Sequence, residues 1–229
     1  MQSRMGLIVP ASRNTYGTYV APTKGDNVDW TNMWDAVKNQ GSCGSCWAFS
    51  ATAAFEARFE LAKGHKHADL SFAEQELVDC EPQSNGCNGG FMDYAFEYLQ
   101  KKGFCVETEY PYTARDGSCQ DSKCSAGPTD KSFTDIPAKN EDALLKELAN
   151  GPISVAVDAS TWSFYAGGIM SSCGTGLNHG VTLVAVNFDE GSAKIRNSWG
   201  SSWGEAGHIR LKVGQDTCGY ADVASYPTF

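Results

Sequence analysis

The stretch GSCGSCWAFS, residues 41–50, sets Cys43 and Cys46 three apart in front of Trp47. Such a pair can open and close a disulfide, or it can put one structural sulfur beside one nucleophile. Helix signals begin at the second sulfur. The run WAFSATAAFEARFELAK is rich in strong helix formers, carries apolar residues at helical spacing and meets Gly64, which predicts a helix from about Ser45 to Lys63 with Cys46 in its opening turn. A disulfide exchanger usually carries its tryptophan before the pair and a proline inside it, within a βαβ surround. Here Trp47 follows, the inner residues are Gly44 and Ser45, and no leading strand is evident.

Outward from this helix the first half of the chain stays helical. Phe72 to Val78 and Met92 to Lys101 have helical spacing, the second ending before Gly103. After Cys124 the texture changes to short apolar runs, Ile153 to Val157, Gly180 to Val186, Ala193 to Arg196 and His208 to Val213, separated by Gly, Asn, Asp and Ser. One helix, Glu141 to Ala149, interrupts them. A helical lobe followed by a strand-rich lobe predicts an α+β chain, with a ligand site in the cleft between the two. Residues 1–23 show no clear period and are rich in Ser, Thr, Gly and Pro, as a tail or processing remnant is. They are not a signal peptide, because the apolar patch at Gly6 to Val9 is short and flanked by Arg4 and Arg13.

At 229 residues with 41% hydrophobic content, the chain is long enough for one domain or two packed lobes. Its 18 Lys and Arg against 27 Asp and Glu supply no clustered positive field, which argues against a nucleic-acid partner. The longest apolar run, about Val181 to Val186, is far too short to span a bilayer. Nine cysteines point to an oxidising compartment, and the odd number leaves one thiol that needs a reason. His65 and His67 in GHKHADL read as a solvated loop rather than a metal pair, and no other ligand cluster accompanies them. No metal or cofactor is expected.

The local pattern C-G-[SA]-C-[WY], with His179 and Asn197 roughly 130 and 150 residues further on, is that of papain and the cathepsins. Further blocks agree in order: VDW at 28–30, KNQGSCGSCWAFS at 38–50, GCNGGFMDYAF at 86–96, LNHGV at 177–181, RNSWGSSWGEAGHIRL at 196–211 and CGYADVASYPT at 218–228. Over residues 24–229 the chain resembles the papain family of cysteine proteases, and within it the cathepsin L-like branch. The resemblance implies a two-lobed fold: a helical lobe over about 31–127, and an antiparallel β-barrel-like lobe over about 128–229 plus 24–30. Residues 1–23 are then a propeptide remnant or an added tail.

The resemblance assigns Cys46 as nucleophile, His179 as proton carrier, Asn197 as the group orienting the imidazole, and Gln40 as an oxyanion donor beside the Cys46 backbone N–H. The chemistry suits these residue types. A thiol at its free pKa is mostly protonated, so the opening of a helix and a neighbouring imidazolium are useful to a nucleophile. Trp199 shields the His179–Asn197 bond. By the same resemblance Gly89 and Gly90 give bare backbone for an antiparallel substrate strand, Phe91, Met92, Ala156, Leu177, Gly180 and Val223 line an apolar site for the second residue before the cleaved bond, and Asn178 and Trp199 also contact substrate. By resemblance Cys43 pairs with Cys87, Cys80 with Cys119 and Cys173 with Cys218. Cys105 and Cys124 are left over, and pairing them together is the economical choice. The family likeness also implies Glu56 pairing with Arg196 near Lys38. It further implies peptide or protein substrates, propeptide and cystatin-like inhibitors, a monomer with no membrane partner, and a lysosome- or vacuole-like acidic compartment or secretion. The rival functions are a catalytically silent binding module on the same scaffold and a thiol-disulfide oxidoreductase using Cys43 and Cys46.

Overall fold

A computed structural model describes residues 4–20 and 26–229. The expected boundary between 23 and 24 lies outside the described residues. Helix α1, Cys46–Ala62, is buried on nearly every side and packs against both the helical and the strand-rich parts of the molecule. Its small residues explain how. Ala48, Ala51, Ala54 and Ala57 are fully buried and let neighbouring elements approach, while Phe55 anchors an aromatic cluster with Phe72 at 5.3 Å, Phe104 at 5.2 Å and Phe229 at 4.9 Å between ring centroids. The helix stops at Lys63, before Gly64 at φ 81°.

Helices α2, Glu74–Cys80, and α3, Met92–Leu99, complete the helical lobe. The second lobe is a sheet. Its strands are β1 Val28–Asp29, β2 Ser132–Asp135, β3 Ile153–Val157, β4 Ile169–Met170, β5 His179–Asn187, β6 Ser192–Arg196, β7 His208–Lys212 and β8 Ala224–Thr228, with helix α4, Glu141–Glu147, lying between β2 and β3 in sequence. The order is β2-β8-β3-β5-β6-β7-β4, with β1 on β5, and every pairing is antiparallel except β4 with β7. Strand β5 is continuously apolar from Val181 to Val186 apart from Thr182, as a strand covered on both faces must be. Its register against β6 pairs Thr182 with Arg196. In an antiparallel ladder this brings Asn197 and Trp199, just beyond β6, alongside the start of β5 at His179.

Four disulfides join Cys43 to Cys87, Cys80 to Cys119, Cys105 to Cys124 and Cys173 to Cys218. Among the described residues Cys46 is the free thiol. No helix among them is long and apolar enough to cross a membrane.

One expected contact is different. Glu56 is buried, but its partner is Lys38, not Arg196. Lys38 Nζ donates to Glu56 Oε1 at 3.3 Å, to Glu74 Oε1 at 2.7 Å and to the Phe72 carbonyl at 3.1 Å, and Glu56 Oε1 also accepts from the Phe72 N–H at 2.9 Å. Arg196 donates to the Ala36 carbonyl and lies 4.7 Å from the Trp34 ring centroid, across a cavity of about 20 Å³ that also touches Glu56 and Glu74. The reason is reach: Lys38 precedes the α1 loop and can extend between α1 and α2, whereas Arg196 is drawn off by an aromatic face and a free carbonyl. Burial alone depresses the Lys38 ammonium, but Glu74 and Glu56 outweigh it and hold it above the ordinary range. Glu56→Ala is expected to lower stability by about 3 kcal/mol, because it strands Lys38 against one acid and leaves the Phe72 N–H unpaired. Urea unfolding reads this directly, and a loss below about 1 kcal/mol would mean the pair is solvated.

Candidate active site

The loop before α1 is drawn tight by Cys43–Cys87 and by the Gly44 N–H donating to the Cys87 carbonyl at 2.8 Å. A side chain at Gly44 would begin only 2.5 Å from that same carbonyl oxygen, so the approach requires glycine. This places Cys46 in the first turn of α1 with its sulfur fully buried. Two backbone amides point at Sγ, Gly6 N–H at 3.3 Å and Gly180 N–H at 3.4 Å. Burial pushes the thiol up to about 11, and the Gly180 and Gly6 amides only partly oppose it.

His179 Nε2 lies 2.8 Å from Asn197 Oδ1, which also accepts from the Ser198 N–H at 2.8 Å. An amide oxygen can only accept, so Nε2 carries the hydrogen and Nδ1 carries the lone pair. Nδ1 is buried with no partner of its own, one residue from the Gly180 amide that faces the sulfur. Trp199 lies over this pair, its ring centroid 5.0 Å from that of the imidazole, and Trp162 meets the ring edge-on at 6.1 Å. Burial in this aromatic shell lowers His179 to about 4, with the Asn197 bond opposing. In this state the thiol and the imidazole are both neutral.

Gln40 is fully buried, and its amide is oriented by Ser198 Oγ donating to Oε1 at 2.6 Å. Nε2 is thereby aimed outward and donates to the carbonyls of Cys43 and Arg4, each at 2.9 Å. Arg4 belongs to the N-terminal segment, which lies across the site. Leu7 N–H donates to the Asn178 carbonyl at 3.2 Å, Gly90 N–H to the Gly6 carbonyl at 2.9 Å, and Ile8 N–H to the Gly90 carbonyl at 2.9 Å. Leu7 is buried in one cluster with Phe91, Met92, Ala156 and Val223, with Leu177 at its margin. Gly90 has no room for a side chain, since Trp47 and Ser84 would lie 2.5 Å from it, and the preceding Gly89 sits at φ 118°.

Gln40, Cys46, His179, Asn197 and Trp199 are thus brought together, with Gly90 and the apolar residues around Leu7 beside them. The antiparallel strand expected beside Gly90 is a substrate's; the chain's own Leu7 pairs there in parallel. Three features escaped the sequence. Ser198 fixes Gln40 but is an ordinary serine in RNSWG, Trp162 lies far from any motif, and residues 4–20 have no period that foretells a fixed path. His65 and His67 pair with Glu60 at 2.6 Å and Asp69 at 3.0 Å, and no set of three metal-binding side chains assembles among the described residues.

Comparison with known proteins agrees with this geometry. Residues 24–228 match the family model described as papain family cysteine protease. Cathepsin L 2 of Paramecium tetraurelia is 51% identical over 210 residues, covering 89% of this chain and 65% of the relative, so the chain spans about two thirds of that protein's length. Among solved structures, digestive procathepsin L 3 from the larval midgut of Tenebrio molitor superposes with a TM-score of 0.88 at 36% identity, over 100% of this chain and 77% of that one. The Carica candamarcensis cysteine protease CMS1MS2, in complex with E-64, gives 0.81 at 38% identity over 88% and 97%. The procathepsin match includes the whole N-terminal segment. With more than four fifths of its length matched by the family model and 51% identity to a cathepsin L over 210 aligned residues, the chain belongs to the papain family of cysteine proteases.

Proposed function

We propose that the protein is a cysteine endopeptidase, held here in a covered form by its own residues 4–20. The observation that carries this reading is the Arg4 carbonyl on Gln40 Nε2 beside the Gly6 N–H on Cys46 Sγ, because an extended backbone then fills the place a scissile peptide needs. The segment runs opposite to a substrate strand. A reversed peptide aims an N–H, not a carbonyl carbon, at the sulfur, and so it blocks without being cut. The 1–23 stretch is accordingly read as the end of a propeptide, and 24–229 as the peptidase domain.

With the segment withdrawn, water re-enters and the proton passes from Cys46 Sγ to His179 Nδ1. The thiolate then attacks the substrate carbonyl carbon, and the oxygen takes up negative charge facing Gln40 Nε2 and the Cys46 N–H. His179 returns its proton to the departing amine, leaving a thioester, and then deprotonates the water that hydrolyses it. Asn197 keeps the ring in the tautomer this requires. Leu7 in the apolar cluster supports a preference for apolar side chains at the second residue before the cleaved bond. The oxidoreductase alternative loses its second thiol, since Cys43 is bridged to Cys87. A silent binding module lacks support because Cys46, His179, Asn197 and Gln40 are all in place. We read the protein as a monomer acting on peptides in an acidic vesicle or outside the cell, open to propeptide and cystatin-like inhibitors, with no nucleic-acid or membrane partner.

Alkylation with iodoacetamide, peptide mapping and a peptide-hydrolysis assay test this together. With the segment withdrawn, one thiol, Cys46, should be modified and all hydrolysis lost with it, and His179→Ala should lose at least about 100-fold in kcat. Hydrolysis surviving full modification of Cys46 would refute the reading. In the same assay peptides with Leu or Phe at the second residue before the cut should exceed those with Arg in kcat/KM by at least about tenfold, because the apolar cluster offers a guanidinium no carboxylate. Equal rates would misplace the pocket.

Peptidase activity of the opened enzyme should show a bell-shaped pH dependence, because the competent state is the thiolate–imidazolium pair, which exists only between the two macroscopic pKa values of that pair. A rate that keeps rising into strong alkali would contradict it.

A further inference from the structure

Past Gly90 the segment reaches Arg13. Its Nη2 donates to Asp93 Oδ2 at 3.0 Å and to Asp135 Oδ1, and its Cζ lies 5.1 Å from the Phe91 ring centroid. Asp93 lies on α3, one residue from Met92 of the apolar cluster, and Asp135 closes β2 in the other lobe. Both carboxylates are buried, with side chains 3% and 4% exposed. Their remaining oxygens are held by the body and by the segment: Ser225 Oγ donates to Asp93 Oδ1 at 2.6 Å, and the Tyr16 N–H donates to Asp135 Oδ2 at 2.7 Å.

Two buried carboxylates brought together are unfavourable unless a cation lies between them. Burial and the neighbouring Asp135 push Asp93 up to about 6, with Arg13 opposing. Among the described residues Arg13 is the only cation paired with either acid. The body therefore supplies two acids and an aromatic face, while the countercharge comes from a segment that must leave. Nη2 alone gives a hydrogen to each acid while the guanidinium carbon lies over the Phe91 ring, so one group meets two acceptors and a ring face at once.

We infer that Asp93, Asp135 and the face of Phe91 form an arginine-binding subsite beside the apolar pocket, filled by Arg13 while the segment is in place and open to an arginine of a peptide substrate once it withdraws. The substrate role rests on the peptidase reading; the subsite itself does not. It lies beyond the apolar pocket and recognises a residue further upstream than the second before the cut.

The test uses the full chain and thermal unfolding with methylguanidinium chloride, against methylammonium chloride as control. Titrated to about tenfold excess over its Kd, methylguanidinium should raise the Tm of Arg13→Ala by about 3 to 6 °C. It should leave the wild type, whose site is filled, and Arg13→Ala/Asp135→Asn, whose site is broken, unshifted. Arg13→Ala should also be alkylated at Cys46 at least about ten times faster than the wild type. Where Arg13→Ala does not fold, Arg13→Met keeps the stem and serves in its place. No shift in the single variant, or equal shifts in all three proteins, would overturn the subsite. For the opened enzyme, Asp135→Asn should raise KM for peptides with an upstream arginine and leave it unchanged for the norleucine analogues. If the two series respond alike, or if no peptide is hydrolysed at all, the substrate role fails, while the Tm shift still decides the subsite.

Discussion

The site exists because α1 and β5 touch without a side chain between them. Gly180 sits where even a methyl group would meet the Trp47 backbone at 3.2 to 3.3 Å and the Met92 sulfur at 3.1 Å. That closeness lets the Gly180 amide reach Cys46 Sγ and carries His179 in beside it. Buried hydroxyls fasten the contact. Ser50 Oγ on α1 donates to the Val181 carbonyl at 2.6 Å, and Ser154 Oγ on β3 donates to the Ser50 carbonyl at 3.0 Å. Such bonds are costly to leave unmade, so they hold the helix in one register on the sheet more firmly than apolar packing alone. Arg58 adds a second fastening toward the end of α1, with Nη2 on Glu147 Oε1 at 3.1 Å and on the Gly151 carbonyl at 2.9 Å, and Nε on the Pro152 carbonyl at 2.8 Å.

The electrostatic state follows from what covers this junction. The sequence favours a thiolate, because Cys46 opens a helix and has an imidazole for a neighbour. In the covered form desolvation is the larger effect on both groups: it raises the thiol and lowers the imidazole, so the proton stays on sulfur. The helix terminus and the two amides are present but are outweighed. Charge separation waits for water, which makes the segment's position an electrostatic control as well as a steric one.

What was legible in the sequence divides along physical lines. α1, β3 and β5 could be read nearly to the residue, because their length and apolar content leave little choice. β8 could not. It is an interior strand pairing with both β2 and β3, yet it contains Pro227 opposite Phe133, and proline inside a run argues against a central strand. β2, with only Phe133 as a large apolar residue, shows no alternation to find. The grouping of Gln40, Cys46, His179 and Asn197 could be anticipated because these residues fall at fixed spacings in the family pattern. The partner of Glu56 was not, because a sequence shows that Lys38 and Arg196 are charged but not which of them has a competing carbonyl and ring at hand. The path of residues 4–20 was the least legible of all. It is set by the groove: Gly6, Leu7, Arg13 and Tyr16 each answer a feature of the body, and none of them gives the segment a preference of its own.

Those anchors lie on both lobes. Gly90 and Asp93 are on the helical side, while Asn178, Asp135 and Ala143, whose carbonyl accepts from Tyr19 Oη at 2.8 Å, are on the strand side. The segment therefore staples the cleft as well as filling it, and its loss removes bonds that cross from lobe to lobe. Lobes joined only by the segment would separate when it left, and Cys46 and His179 would part with them. The Ser50 and Arg58 contacts answer this, for they join α1 directly to the sheet lobe beneath the cleft floor and involve no residue of the segment. A blocking element can be released without loss of alignment only if the alignment is held elsewhere. In this chain the holding contacts of Ser50 and Arg58 join α1 to the sheet away from Cys46 and His179, and none of them involves the segment.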